Sequence, residues 1–174
     1  MKYARIETER RFLLARAPDR LPAEYRRIRD WYLEGTRLRL RRVEDSQGNV
    51  LALKFGQKYG AGLSTTMTNL YLTAAEYDLL RALGGRPIVK RRYAYPHAGL
   101  TFSVDVFEDE LAGLVLAEIE LEDERAAESV TVPDFALADV TEEPFFTGGA
   151  LAKATTEQLE QALAPWGCSR RRSV

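Results

Sequence analysis

Cysteine and histidine are almost missing from this 174-residue chain, which carries one of each, Cys168 and His97. A single cysteine excludes an internal disulfide framework and fits a cytosolic protein. His97 follows Pro96 in a predicted turn and reads as a solvated turn residue rather than a catalytic one. No run of 18 apolar residues is present, so no membrane-spanning helix is expected. The opening Met1-Lys2-Tyr3-Ala4-Arg5 lacks the apolar stretch of a signal peptide, and a cytoplasmic location is expected. Excess charge is missing too. The net value of −1 points to neither nucleic acid nor a membrane surface as partner. There is no internal repeat and no low-complexity segment. Any electrostatic signal must lie in where the charges sit.

What is present is alternation. Apolar and polar residues exchange with a period of two, the spacing of strands, over eight segments. These lie near residues 4–14, 25–33, 36–44, 49–56, 64–72, 87–96, 99–108 and 114–123. Turn chemistry separates them, as at Glu34-Gly35 and Gly60-Ala61-Gly62, and short connections imply antiparallel neighbours. A helix is predicted over 73–83, with a Thr73/Glu76 capping box, an apolar face of Leu79, Leu80 and Leu83, and Gly84-Gly85 as its stop. A second is predicted over 150–163, and a short helical turn over 123–129. The expected domain is residues 1–165, with 166–174 as a basic tail whose Arg170-Arg171-Arg172 reads as solvated.

Alternate residues of a strand share a face, and here the charges fall in rows. Glu7, Glu9 and Arg11 share one; so do Arg37, Arg39 and Arg41; so do Lys90 and Arg92; so do Glu118, Glu120 and Glu122. Lys54 and Asp105 each face away from apolar neighbours on their own strands. A plain sheet with one wet face accounts for any single strand. Rows of like charge are costly, however, unless something of opposite sign lies between them. A closed eight-stranded antiparallel barrel with a charged interior and helices outside accounts for all rows together and leaves room for a small ligand. Its bases would neutralise phosphate oxygens, and its acids would hold Mg²⁺ or Mn²⁺.

The ordered set of motifs resembles the CYTH domain, also called the triphosphate tunnel metalloenzyme family. The resemblance rests on Glu7-Thr8-Glu9-Arg10-Arg11, Arg39-Leu40-Arg41, Ala52-Leu53-Lys54, Lys90-Arg91-Arg92-Tyr93, Asp105-Val106-Phe107 and Glu118-Ile119-Glu120. It covers about residues 3 to 155. It implies an α+β, mainly β fold: an eight-stranded tunnel with a few helices packed outside. It further implies metal-dependent hydrolysis of the terminal phosphoanhydride of tripolyphosphate or an organic triphosphate. In that reading Glu7, Glu9, Asp105, Glu118 and Glu120 hold the metal, and Arg11, Arg39, Arg41, Lys54, Lys90 and Arg92 bind phosphate; Arg37, in one row with Arg39 and Arg41, is expected to join them. Glu7, Glu9, Arg11 and Lys54 would act in catalysis. An adenylate cyclase of the same fold and a non-catalytic polyphosphate-binding module are the alternatives.

The sequence departs from the family pattern twice. Met67 and Asn69 stand in the fifth strand where two glutamates are expected. Glu143-Pro144-Phe145-Phe146-Thr147-Gly148-Gly149 replaces a basic segment before the last helix. Lys153 is a candidate substitute for one of those bases. Oligomeric state is left open, a homodimer included.

Overall fold

The computed structural model describes residues 4–60 and 62–168. The basic triplet Arg170-Arg171-Arg172 lies outside the described residues. Eight strands form the barrel: β1 (Ala4–Leu13), β2 (Arg26–Leu33), β3 (Leu38–Glu44), β4 (Val50–Tyr59), β5 (Ser64–Tyr71), β6 (Gly85–His97), β7 (Leu100–Phe107) and β8 (Val115–Leu121). A two-residue strand, β9 (Ala138–Asp139), was not expected. The order β5-β4-β3-β2-β6-β7-β8-β1 closes because β1 also pairs with β5, and every pairing is antiparallel. β1 manages this by dividing its edge. Ala4–Thr8 pairs with β5, and beyond it Phe12 and Leu13 pair with β9. The hairpin from β6 to β7 turns on two left-handed residues, Ala98 at φ 49° and Gly99 at φ 79°. His97 therefore ends β6 instead of sitting in the turn, with its ring 4.9 Å from that of Phe135 and stacked on Tyr95.

The helices are α1 (Ala74–Arg81), α2 (Glu124–Ser129), α3 (Gly148–Leu151) and α4 (Thr156–Leu163). α1 carries the expected capping box, but its buried residue is Tyr77, while Leu79 and Leu83 are exposed. The single helix expected over 150–163 is two helices. Thr155 supplies the reason: its side chain caps α4 by accepting from the Gln158 amide, and Gln158 caps in return. No helix among the described residues is long and apolar enough to cross a membrane.

Two apolar clusters fix the barrel. One lies on its outer wall, where Phe12, Tyr93, Phe102, Val104, Ala117 and Ile119 pack against Leu21, Val130 and Phe135. The other fills one end. Leu13, Ile88, Phe107 and Leu116 point inward there and meet Val140, Phe146, Leu151, Leu159 and Leu163 from the C-terminal segment. Phe146 is buried in this plug and Phe145 packs on it. The plug approaches so closely that a side chain on Gly148 would collide with the Tyr32 hydroxyl. Lys153 is exposed on the plug's outer side, beside Phe145 and Gln158. The helices thus do more than cover the outside: they stop one end.

Candidate active site

Strand register shows which residues look inward, since directly opposed residues share a face. Arg11 opposes Glu118, and Glu118 opposes Ser103, two residues from Asp105. Asp105 opposes Arg92. Across β2, Asp30 opposes Arg41, Arg41 opposes Lys54, and Lys54 opposes Tyr71. Thr65, on the Tyr71 face of β5, opposes Glu7 and completes the circuit. Glu7, Glu9, Arg11, Arg39, Arg41, Lys54, Lys90, Arg92, Asp105, Glu118 and Glu120 thus share one interior face. Arg37 does not join them. It precedes β3, is exposed, and stacks 4.7 Å over the Tyr59 ring.

Depth separates these residues. Asp105, fully buried, lies on the plug as the floor of the chamber, opposite Leu116. It accepts from Lys90 Nζ at 2.5 Å and from both Nε and a terminal nitrogen of Arg92 at 2.7 and 2.5 Å. Above it, Glu118 accepts from Arg11 Nε at 3.1 Å and Arg92 at 2.5 Å. Near the mouth, Glu9 meets Arg11 at 2.6 Å and Lys58 at 2.7 Å. Glu120, at the rim with 57% of its side chain exposed, meets Arg5 at 2.8 Å. On the opposite wall, Asp30 takes a two-pronged contact from Arg41, both bonds 2.7 Å, with Arg39 3.7 Å away. Lys54 has no carboxylate partner among the described residues; its Nζ sits 5.1 Å over the exposed Tyr71 ring.

Burial and pairing oppose each other here. Burial alone would push the Glu118 carboxyl up, but Arg92, Lys90 and Arg11 outweigh it and hold it well below the usual carboxylate range. Asp30 behaves likewise: burial raises it, but Arg41 and Arg39 outweigh burial and hold it well below the usual carboxylate range. Lys90 ends below its ordinary value, because burial exceeds the help from Asp105.

Folded-state carboxyls that are depressed stabilise the protein above their unfolded value, and that stability is lost as pH falls through the folded one. Melting temperature should therefore drop steeply below about pH 4, where unfolded carboxylates begin to protonate. Each such group adds about 1.4 kcal/mol per pH unit to the slope. Calorimetry from pH 7 to 3 checks this, and Glu118→Gln should flatten the profile.

Asp30, Lys58 and Arg5 were missed in the sequence. Asp30 stands just after Arg26, Arg27 and Arg29, with no acid two residues away to mark its face. Lys58 lies beyond the expected end of its strand at residue 56. Arg5 shares the parity of Glu7 and was open to recognition on that ground. Met67 and Asn69 do face the interior, Met67 buried, and Gly56 leaves the space that the Asn69 amide occupies.

The donor set can be tested against a divalent metal. Among the described residues, no three acidic, histidine or cysteine side chains are gathered as a ready metal cluster. Asp105 and Glu118 have their oxygens engaged by buried bases. Glu7, Glu9 and Glu120 are different. Glu9 opposes Glu120 directly, Glu7 lies two residues along, and two of their partners, Arg5 and Lys58, are partly exposed. Three carboxylates of this kind suit a hard cation.

The relatives agree with the geometry. An inorganic triphosphatase of Nitrosomonas europaea is 32% identical over 155 residues, covering 84% of this chain and 96% of that protein. One of Acetivibrio thermocellus is 31% identical over 118 residues, 63% of this chain and 74% of its own length. A crystal structure of an inorganic triphosphatase superposes with a TM-score of 0.57 at 24% identity, covering 85% of this chain and 95% of that one. The CYTH domain pattern matches residues 5–136, which take in the barrel from the second residue of β1 to the end of β8. A closed antiparallel barrel with inward rows of arginine, lysine and glutamate, matched over that length, makes this chain a member of the CYTH domain family.

Proposed function

We propose that the protein hydrolyses the terminal phosphoanhydride of a short polyphosphate, with Mg²⁺ or Mn²⁺ as cofactor. One observation carries the reading: bases outnumber acids on the interior face, and the excess lies on the wall where Arg39, Arg41 and Lys54 face a single acid, Asp30. An anion with several charged oxygens suits that imbalance. The name of the relatives, inorganic triphosphatase, favours tripolyphosphate over an organic triphosphate.

The wall residues are prepared for the task. Asp30 holds Arg41 by both prongs and draws Arg39 toward it, so the two guanidiniums need little reorganisation to meet phosphate oxygens. Lys54, without a carboxylate partner, adds a third charge to neutralise the leaving diphosphate. Arg11, braced by Glu9 and Glu118, would contact the phosphate from the opposite wall. Glu7, Glu9 and Glu120 would hold the divalent cation, which supplies polarisation of the terminal phosphoryl group and alignment of a water. Lys90 and Asp105 lie too deep for substrate and would set the floor.

Phosphate release from tripolyphosphate, ATP and diphosphate, with each metal, tests the activity; cyclic AMP formed from ATP would mark a cyclase instead. Binding is tested separately. A ligand at a hundredfold excess over its Kd stabilises the folded state by about 2.7 kcal/mol. Tripolyphosphate with Mg²⁺ should then raise the melting temperature by about 5 to 10 °C for a chain of this length. The Arg39→Gln, Arg41→Gln, Asp30→Asn variant removes the wall charges without stranding an acid and should lose the shift. The inward Met67 and Asn69, and the apolar plug in place of a basic segment, favour a second reading as a polyphosphate-binding module. A shift without phosphate release would establish that one.

A further inference from the structure

Met67 faces the chamber, buried, with Arg5 of β1 directly opposite on one side and Lys58 of β4 directly opposite on the other. An uncharged side chain between two bases offers neither a counter-ion. Both therefore lean along the face toward the acids of the mouth. Lys58 Nζ lies 2.7 Å from Glu9 and 3.7 Å from Glu7. Arg5 lies 2.9 Å from Glu7 and 2.8 Å from Glu120. Both bases sit on long side chains that reach solvent, 32% exposed for Lys58 and 62% for Arg5. Beside them, the Thr65 hydroxyl opposite Glu7 is buried and has no hydrogen-bond partner among the described residues. An unsatisfied buried hydroxyl next to a carboxylate suits the hydration shell of an ion more than it suits an ammonium group held elsewhere.

We propose that Arg5 and Lys58 are resident counter-cations of Glu7, Glu9 and Glu120, and that a divalent cation binds this face by displacing them. The inference rests on the reading that these carboxylates take such a cation. The two side chains occupy the carboxylate oxygens and place positive charge within hydrogen-bonding distance of where the ion must sit. They therefore weaken its binding through both competition and repulsion. They also set cation selectivity, because only an ion whose charge is compact enough to outcompete two resident bases displaces them. Once displaced, they remain at the mouth on mobile stems, where an incoming phosphate would meet them.

The probe is Mn²⁺, titrated into the full-length protein without phosphate, with free ion read by electron paramagnetic resonance. The Arg5→Gln, Lys58→Gln variant should bind Mn²⁺ at least about tenfold more tightly than wild type. An Arg5→Lys, Lys58→Arg variant, which keeps both charges, should stay near the wild-type affinity. Calorimetry verifies that each is folded, which the exposure of both side chains favours. If wild type binds Mn²⁺ and the glutamine variant binds no tighter, the displacement idea is wrong while the metal reading survives. If none of the three binds Mn²⁺, both are wrong.

Discussion

The Asp105→Ala variant is expected to melt on the order of 10 °C below the wild-type protein. Asp105 has no exposed surface, opposes Leu116 of β8, which packs against the plug, and accepts three charged hydrogen bonds from Lys90 and Arg92. Its removal strands two bases in the deepest part of the chamber. Lys90 already lies below its ordinary pKa through burial, with Asp105 as its principal counterweight, so the loss of Asp105 would lower it further and favour the neutral amine. Arg92 has no such escape, because guanidinium stays charged. It would keep only Glu118. Breaking a buried pair from one side costs about 3 to 5 kcal/mol, and each kcal/mol is about 2 to 4 °C for a chain of this length. Differential scanning calorimetry at neutral pH reads the result. A drop below about 3 °C would show that water reaches Asp105 and that the plug does not form the floor.

Glu120→Ala should have the opposite profile: phosphate release reduced at least about a hundredfold, with almost no change in melting temperature. Glu120 is mostly exposed, and its ion pair is with Arg5, itself exposed. Nothing buried depends on it. Its proposed value is as a ligand at the mouth, where it opposes Glu9. A malachite green assay over a range of Mg²⁺ and Mn²⁺ measures the loss, and calorimetry measures the unchanged fold. Undiminished release at low metal concentration would remove Glu120 from the metal set. The two variants delete the same charge from the same interior face, yet one should act on stability and the other on chemistry. The difference is depth.

Depth is what the sequence did not show. The period-two rows put Arg39 with Arg41, Lys90 with Arg92 and Glu118 with Glu120, and the strand register places each of these pairs on the interior face. Nothing in the rows distinguishes Asp105, sealed by the plug, from Glu120, open to solvent. Asp30 was equally silent. Its role comes from standing opposite Arg41 across a hairpin and from being buried there. Arg37 continued the parity of Arg39 and Arg41, but the turn that precedes β3 still holds it, so it stacks on Tyr59 instead. The leucines of α1 misled for a related reason. A short amphipathic helix against a barrel wall seats the residue that the wall accommodates, and that residue is Tyr77.

The amino-acid sequence by itself determined the faces, because side-chain alternation along a strand is a property of neighbouring residues and needs no partner. It also determined the turns and caps, such as Thr73 with Glu76, whose hydrogen bonds span only a few positions. Tertiary structure alone decided who pairs with whom and how far from water. Barrel closure joins residues far apart in the chain, as Glu7 to Thr65 and Arg11 to Glu118, and the stagger of each pair sets its height. The C-terminal segment then stops one end with Phe146, Leu151, Leu159 and Leu163. That single packing event turns a uniform row of charges into a dry, paired floor and a wet mouth, because the strength of an ion pair and the freedom of a carboxylate both depend on how much water remains around it.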